Sequence, residues 1–130
     1  MANIDTFILF SYVIKYKNMG AQKPKNSNDL SDFERTHVPS VEIPYQPMKG
    51  SIFELIVKVG EIFHDMEEEH FIQWIELYNG DVLLDRVELG SEVAPKCIFN
   101  VSFMENTCFR VIASCNLHGA WEKVVRVEFS

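Results

Sequence analysis

Residues 71–87, FIQWIELYNGDVLLDRV, limit the fold more than any other stretch of the chain. Two runs rich in aromatic and branched side chains flank Asn79-Gly80, a dipeptide suited to the positive φ of a two-residue hairpin turn. The same texture recurs along the body of the chain, at FELIVKV (53–59), 96–103, 108–114 and KVVRVEF (123–129). In the last run Val125, Val127 and Phe129 alternate with Val124, Arg126 and Glu128, the period of two expected of a strand with one buried face. Phe109, Val111 and Ala113 form the corresponding inward set of the run before it. No sustained helical period and no internal repeat are present. Short strands with short connections predict an all-β, antiparallel sandwich or barrel of about seven strands.

A chain of 130 residues with 47% hydrophobic residues is long enough to bury one real core. The net charge of −7 argues against nucleic acid or an anionic membrane as the main partner, because both reward positive charge. The longest apolar run, FILFSYVI at 7–14, is far short of the ~20 residues of a membrane-spanning helix. It reads as an extra strand or short helix. The segment before it has no Lys or Arg, so no secretory signal is expected. Residues 15–33 are polar, with Gly20, Pro24 and an Asn/Ser/Asp cluster, and read as a loop leading into the body. Three cysteines and no secretory signal point to a reducing, cytoplasmic setting without a disulfide framework. Cys97 and Cys108 lie in apolar runs and read as buried structural residues.

Cys115 differs in its downstream neighbours: CNLHGAW places a cysteine and His118 three residues apart, then Gly119 and Trp121. The chain has four histidines, His37, His64, His70 and His118, and none falls in the middle of a predicted strand. Any one alone would read as a surface or satisfied histidine. All four at strand ends and loops, joined by Cys-x-x-His, favour metal ligation, since imidazole and thiolate are common transition-metal ligands. Closed structural zinc needs fewer and usually more sulfur-rich ligands, and the His-Glu-x-x-His pattern of zinc proteases is absent. Blue copper uses Cys and His on a β-sandwich, but its axial Met normally lies just beyond the last His, and no Met lies beyond His118. Four imidazoles and one thiolate suit a five-coordinate iron(II) with an open sixth position. A copper electron carrier and a non-catalytic β-sandwich interaction module stay as the other readings.

Three ordered blocks, HVPSVE, VKVGEIFHDMEEEHFIQWIEL and CNLHGAW, resemble superoxide reductase, the neelaredoxin and desulfoferrodoxin iron-domain family, over roughly residues 34–129. The resemblance implies an immunoglobulin-like β-sandwich in residues 34–130. It implies one iron per chain, with His37, His64, His70 and His118 equatorial and Cys115 axial. Residues 1–33 contain no cysteine, so this N-terminal extension carries no second iron module and the chain resembles the one-iron form. The implied reaction is the one-electron reduction of superoxide to hydrogen peroxide. Its implied electron donor is rubredoxin or another small redox protein, and its implied assembly a homotetramer or homodimer. Gly119 is expected to permit a close turn, Trp121 to cover the sulfur or pack in the core, and N–H groups at 116–118 to donate to the thiolate. The family usually reads Glu-Lys-His before Val-Pro, whereas this chain reads ERTHVP. Glu34, Arg35 and Thr36 are therefore the candidates for the catalytic roles of that glutamate and lysine. HDM at 64–66 departs from the common His-Pro-Met, and Glu67–Glu69 reads as a solvated turn.

Overall fold

The computed structural model describes residues 21–130. The apolar run at 7–14 lies outside them. Among the described residues, seven strands come after one short helix: α1 (Asp32–His37), β1 (Pro39–Glu42), β2 (Phe53–Val59), β3 (Ile72–Asn79), β4 (Val82–Glu88), β5 (Lys96–Val101), β6 (Thr107–Cys115) and β7 (Gly119–Val127). They form two antiparallel sheets, β1-β2-β5 and β4-β3-β6-β7. The fold is the all-β sandwich expected from the alternating runs. No helix among the described residues is long and apolar enough to cross a membrane.

Alternation decides which side chains fill the space between the sheets. Leu55, Val57 and Val59 of β2 and Phe99 of β5 face Ile75 and Leu77 of β3 and Phe109, Val111 and Ala113 of β6. Val127 and Phe129 close one end, with Phe129 edge-on to Phe53 at 5.7 Å. Each large side chain so buried contributes roughly 1.5–3 kcal/mol. Cys115, 2% exposed, is the last residue of β6 and belongs to this core. The sandwich thus ends on a sulfur.

Three features depart from the sequence reading. The hairpin after β3 pairs Asn79 with Val82, so the turn residues are Gly80 and Asp81, with Gly80 at φ 60°. A glycine at the first turn position is the II′ arrangement rather than an Asn-Gly turn. Residues 32–37, read as loop and motif, form α1. Six residues are too few to set up a helical period, but Ser31 and Glu34 make a complete capping box. Cys108 is exposed, not buried: β6 turns Thr107 and Phe109 inward, so Cys108 points out beside Arg126. Cys97 is half-buried, and burial, with Asp85 second, pushes its thiol up to about 12.

The outer face of the four-stranded sheet carries a second polar layer. Register places Arg86, Glu76, Ile112 and Glu122 in one row across β4, β3, β6 and β7. Glu76 and Glu122 are only 2% and 3% exposed, yet both are fully partnered. Glu76 accepts from Arg86 and from the Tyr78 hydroxyl at 2.8 Å. Glu122 accepts from Arg110 at 2.6 Å and pairs with Lys23 at 3.7 Å. Arg86 and Arg110 also lie over the rings of Trp74 and Tyr78. Burial, then the bond to Glu76, pushes the Tyr78 phenol above its usual range.

Candidate metal centre

At the Cys115 end of the sandwich, loops and α1 bring together the four histidines. His37 is the last residue of α1, His64 comes after β2, His70 precedes β3, and His118 lies between β6 and β7. Ligand atoms of His37, His64, His70 and Cys115 all lie within 4.8 Å of one another. The fifth residue completes the group: His118 Nδ1 is 3.3 Å from His37 Nε2 and 3.6 Å from Cys115 Sγ.

The rings stand around a common centre in the order His37, His64, His70, His118. Successive centroids are 4.6, 4.6, 5.2 and 5.1 Å apart, and His37 lies 6.4 Å from His70 across the centre. Neighbouring planes are nearly perpendicular, at 76–90°. The adjacent inward nitrogens of His37 and His64 are 3.2 Å apart. Nitrogens about 2.1 Å from one ion, at right angles to each other, would be roughly 3 Å apart. The donor set therefore fits a single transition-metal ion, with four imidazoles around it and the Cys115 sulfur beside them.

Local structure fixes each ring. His37 Nδ1 faces the Phe33 carbonyl at 2.8 Å, one helical turn back, so Nε2 points inward. Phe33 also stacks on His37, with centroids 4.0 Å apart and planes 18° apart, and meets His118 edge-on at 5.1 Å. His64 Nδ1 is 2.7 Å from the Asp65 carbonyl. His118 uses its other nitrogen, Nδ1, toward the cluster. Its carbonyl accepts from Gln22 Nε2 at 2.8 Å and from the Trp121 indole at 3.3 Å. His70 Nε2 is buried without a hydrogen-bond partner. Burial is the leading influence on His37 and His64 and lowers both below the usual imidazole range. Both rings thus stay neutral near pH 7, with a lone pair for a metal.

Close packing aligns the supports. Gly60 meets α1 so tightly that an added Cβ would lie 2.5 Å from the Arg35 carbonyl and 2.7 Å from that of Val38. Ile62 N–H donates to the same Arg35 carbonyl at 3.2 Å, which ties the His64 loop to the helix of His37. Asn116 accepts from Phe71 N–H at 2.9 Å and donates to the Glu69 carbonyl at 3.1 Å, which ties the Cys115 loop to that of His70. The Asn116 N–H itself donates to the Phe71 carbonyl, so it is committed there rather than to the Cys115 sulfur. Gly119, at φ 82°, makes the close turn after His118. Trp121 is buried and braces His118 through the indole bond.

Of the three residues before His37, Glu34 and Thr36 have other partners. Glu34 is buried, and its carboxylate accepts from the N–H groups of Ser31 at 2.9 Å and Lys25 at 3.2 Å. Donation from Ser31 holds its carboxyl below the usual range. Thr36 Oγ1 donates to the Phe33 carbonyl at 2.9 Å and lies 2.9 Å from His37 Nδ1, on the outer side of the ring. The Arg35 side chain is exposed. Cys97 and Cys108 stand outside the cluster. Phe33 and Gln22 belong to no motif of the sequence. The capping box would place Phe33 on a helix one turn before His37, whereas nothing local marks Gln22, which bridges to Trp121 across about a hundred residues.

Comparison with known proteins places this arrangement. A Methanocaldococcus jannaschii relative is 40% identical over 96 residues, covering 71% of this chain and 82% of its own. The superoxide reductase of Pyrococcus horikoshii is 32% identical over 103 residues, covering 71% of this chain and 87% of its own. Among solved structures, the superoxide reductase (neelaredoxin) from Ignicoccus hospitalis superposes with a TM-score of 0.72 at 28% identity, covering 85% of this chain and 95% of that one. Residues 29–124 match the Desulfoferrodoxin family profile, so the chain belongs to the desulfoferrodoxin family.

Proposed function

We propose that the protein is a superoxide reductase in which His37, His64, His70, His118 and Cys115 would hold one non-haem iron per chain. The observation that carries this reading is the square of four imidazoles beside one buried thiol, with His70 Nε2 buried and without a partner. An unpaired buried nitrogen costs about 1–3 kcal/mol unless something binds it. Family membership and the superoxide reductases among its relatives support the same reading. When bound, iron would supply a one-electron couple and Lewis acidity toward a small anion.

The protein's own part is to hold the donors. Phe33 and Asp65 orient His37 and His64 through main-chain carbonyls, and Gln22 and Trp121 hold the His118 loop. The reaction consumes one superoxide, one electron and two protons, and yields one hydrogen peroxide. The electron comes from an external carrier, such as rubredoxin or another small redox protein. Arg35 is the exposed cation closest in sequence to the site and fits attraction of the anionic substrate. Glu34 and Thr36 serve α1 and the His37 ring rather than the substrate, given the bonds that occupy them. Pulse radiolysis of the reduced, iron-loaded protein tests the reading. One hydrogen peroxide formed per superoxide consumed, without oxygen release, supports it. Release of oxygen, or no reaction with superoxide, contradicts it.

A further inference from the structure

The outer nitrogens of His37, His64 and His70 face two different kinds of group. Those of His37 and His64 meet main-chain carbonyls, of Phe33 and Asp65, which no side-chain substitution removes. The outer nitrogen of His70 instead faces a side chain: His70 Nδ1 is 3.8 Å from Asp65 Oδ2. Asp65 therefore serves two neighbouring rings, its carbonyl within hydrogen-bond distance of His64 at 2.7 Å and its carboxylate at ion-pair distance from His70, 3.8 Å. Those rings meet edge-on with centroids 4.6 Å apart. His70 is also the ring whose inward nitrogen is buried and unpaired.

We propose that Asp65 is a positioning residue for the metal, its carboxylate orienting His70 and strengthening that ring as a donor. The assignment rests on the metal-centre reading given under the proposed function. The physics is that of a carboxylate–imidazole–metal relay. A ring bound to metal through Nε2 carries its proton on Nδ1, and a carboxylate facing that N–H fixes the tautomer and raises the ring's basicity. The loop geometry suits the role. Glu67 and His70 exchange two main-chain hydrogen bonds, of 2.9 and 3.0 Å, so the segment between the two histidines closes tightly and returns His70 to Asp65. Because the Asp65 side chain is 68% exposed, water screens the pair and its effect belongs at the low end for such partners.

The test is cobalt(II) binding to the full-length protein by competition with a chelator, read from the thiolate-to-cobalt absorption. Asp65→Asn keeps the carbonyl to His64 and removes only the charge. Its cobalt affinity should fall by about 10-fold, Asp65→Ala should lose at least as much, and Asp65→Glu should recover most of the loss. The melting temperature of the metal-free variants should stay at the wild-type value, which separates loss of a donor's support from loss of fold. Wild-type affinity in both Asp65→Asn and Asp65→Ala would overturn the proposal. So would a loss in Asp65→Glu as large as that in Asp65→Asn, since charge would then be irrelevant. Cobalt affinity does not depend on superoxide chemistry, so a protein that binds metal but leaves superoxide untouched would refute the enzymatic reading alone.

Discussion

Two groups of polar side chains with buried members sit on this sandwich, and they are built on opposite rules; in the second, His37, His64 and Cys115 are buried, His70 is half-buried and His118 is exposed. On the outer face of the four-stranded sheet, Glu76 and Glu122 meet Arg86, Tyr78, Arg110 and Lys23, so each acid has donors for both oxygens. That group closes on itself and asks for nothing further. At the end of the sandwich, four imidazoles and a thiol point at one another, and all are donors of lone pairs once neutral. No arrangement of protons satisfies all of them, and His70 Nε2 is left over. A cluster whose members share the same unmet need is completed by a cation from outside. A group whose members meet each other's needs is architecture. The distinction can be read from partners alone, since Glu76, Glu122, His37 and His64 are all 2–3% exposed.

The contrast breaks most visibly at Cys115. In the iron-loaded protein, Cys115→Ser should abolish the sulfur-to-iron charge-transfer band, because among the described residues Cys115 is the one cysteine in the cluster. A band that survives would place the thiolate elsewhere. On the architectural side, Glu76→Ala leaves Arg86 and the Tyr78 hydroxyl without their shared acceptor. Removing one partner of a buried pair typically costs about 3–5 kcal/mol, and the 27% exposure of Arg86 lowers that to about 2–3 kcal/mol here. Denaturant unfolding should show the loss while the iron spectrum of the folded variant keeps its wild-type form. A changed spectrum would mean that the two groups are coupled. The smallest effect belongs to Cys97 and Cys108, which lie outside both groups. Replacing both with Ala should leave the iron spectrum unchanged and cost at most about 1 kcal/mol, from the half-buried Cys97.

The strands are legible in the sequence because runs rich in branched and aromatic residues become strands: alternation holds in β2 and from Val125 to Phe129, whereas β3 and β6 also bury outer-face residues such as Glu76 and Ile112. The histidines and Cys115 are legible as residue types in ordered blocks. Which nitrogen of each ring turns inward is not, because that depends on carbonyls such as those of Phe33 and Asp65 reaching Nδ1 in three dimensions. Glu34 illustrates a different limit. It lies one residue before the place of the family's glutamate, which makes it a candidate for that role, yet its spacing from Ser31 is that of a capping box, and the structure uses it so. Cys108 misleads because its neighbours in sequence are apolar, whereas its exposure depends on which face of β6 it occupies. The outer polar row is not legible at all. Glu76 meets Arg86 through the β3–β4 register, Glu122 meets Arg110 through that of β6 and β7, and only the pairing of β3 with β6 sets them in one row.

Everything proposed for this chain depends on the end of the sandwich being a mononuclear iron site of four nitrogens and one sulfur. X-ray absorption at the iron edge, on full-length protein loaded with iron and quantified per chain, examines that shell without reference to activity. One iron per chain is expected, with about four imidazole nitrogens and one sulfur around it, as the ring square and the Cys115 contact require. Iron bound substoichiometrically, or a shell without sulfur, would contradict it.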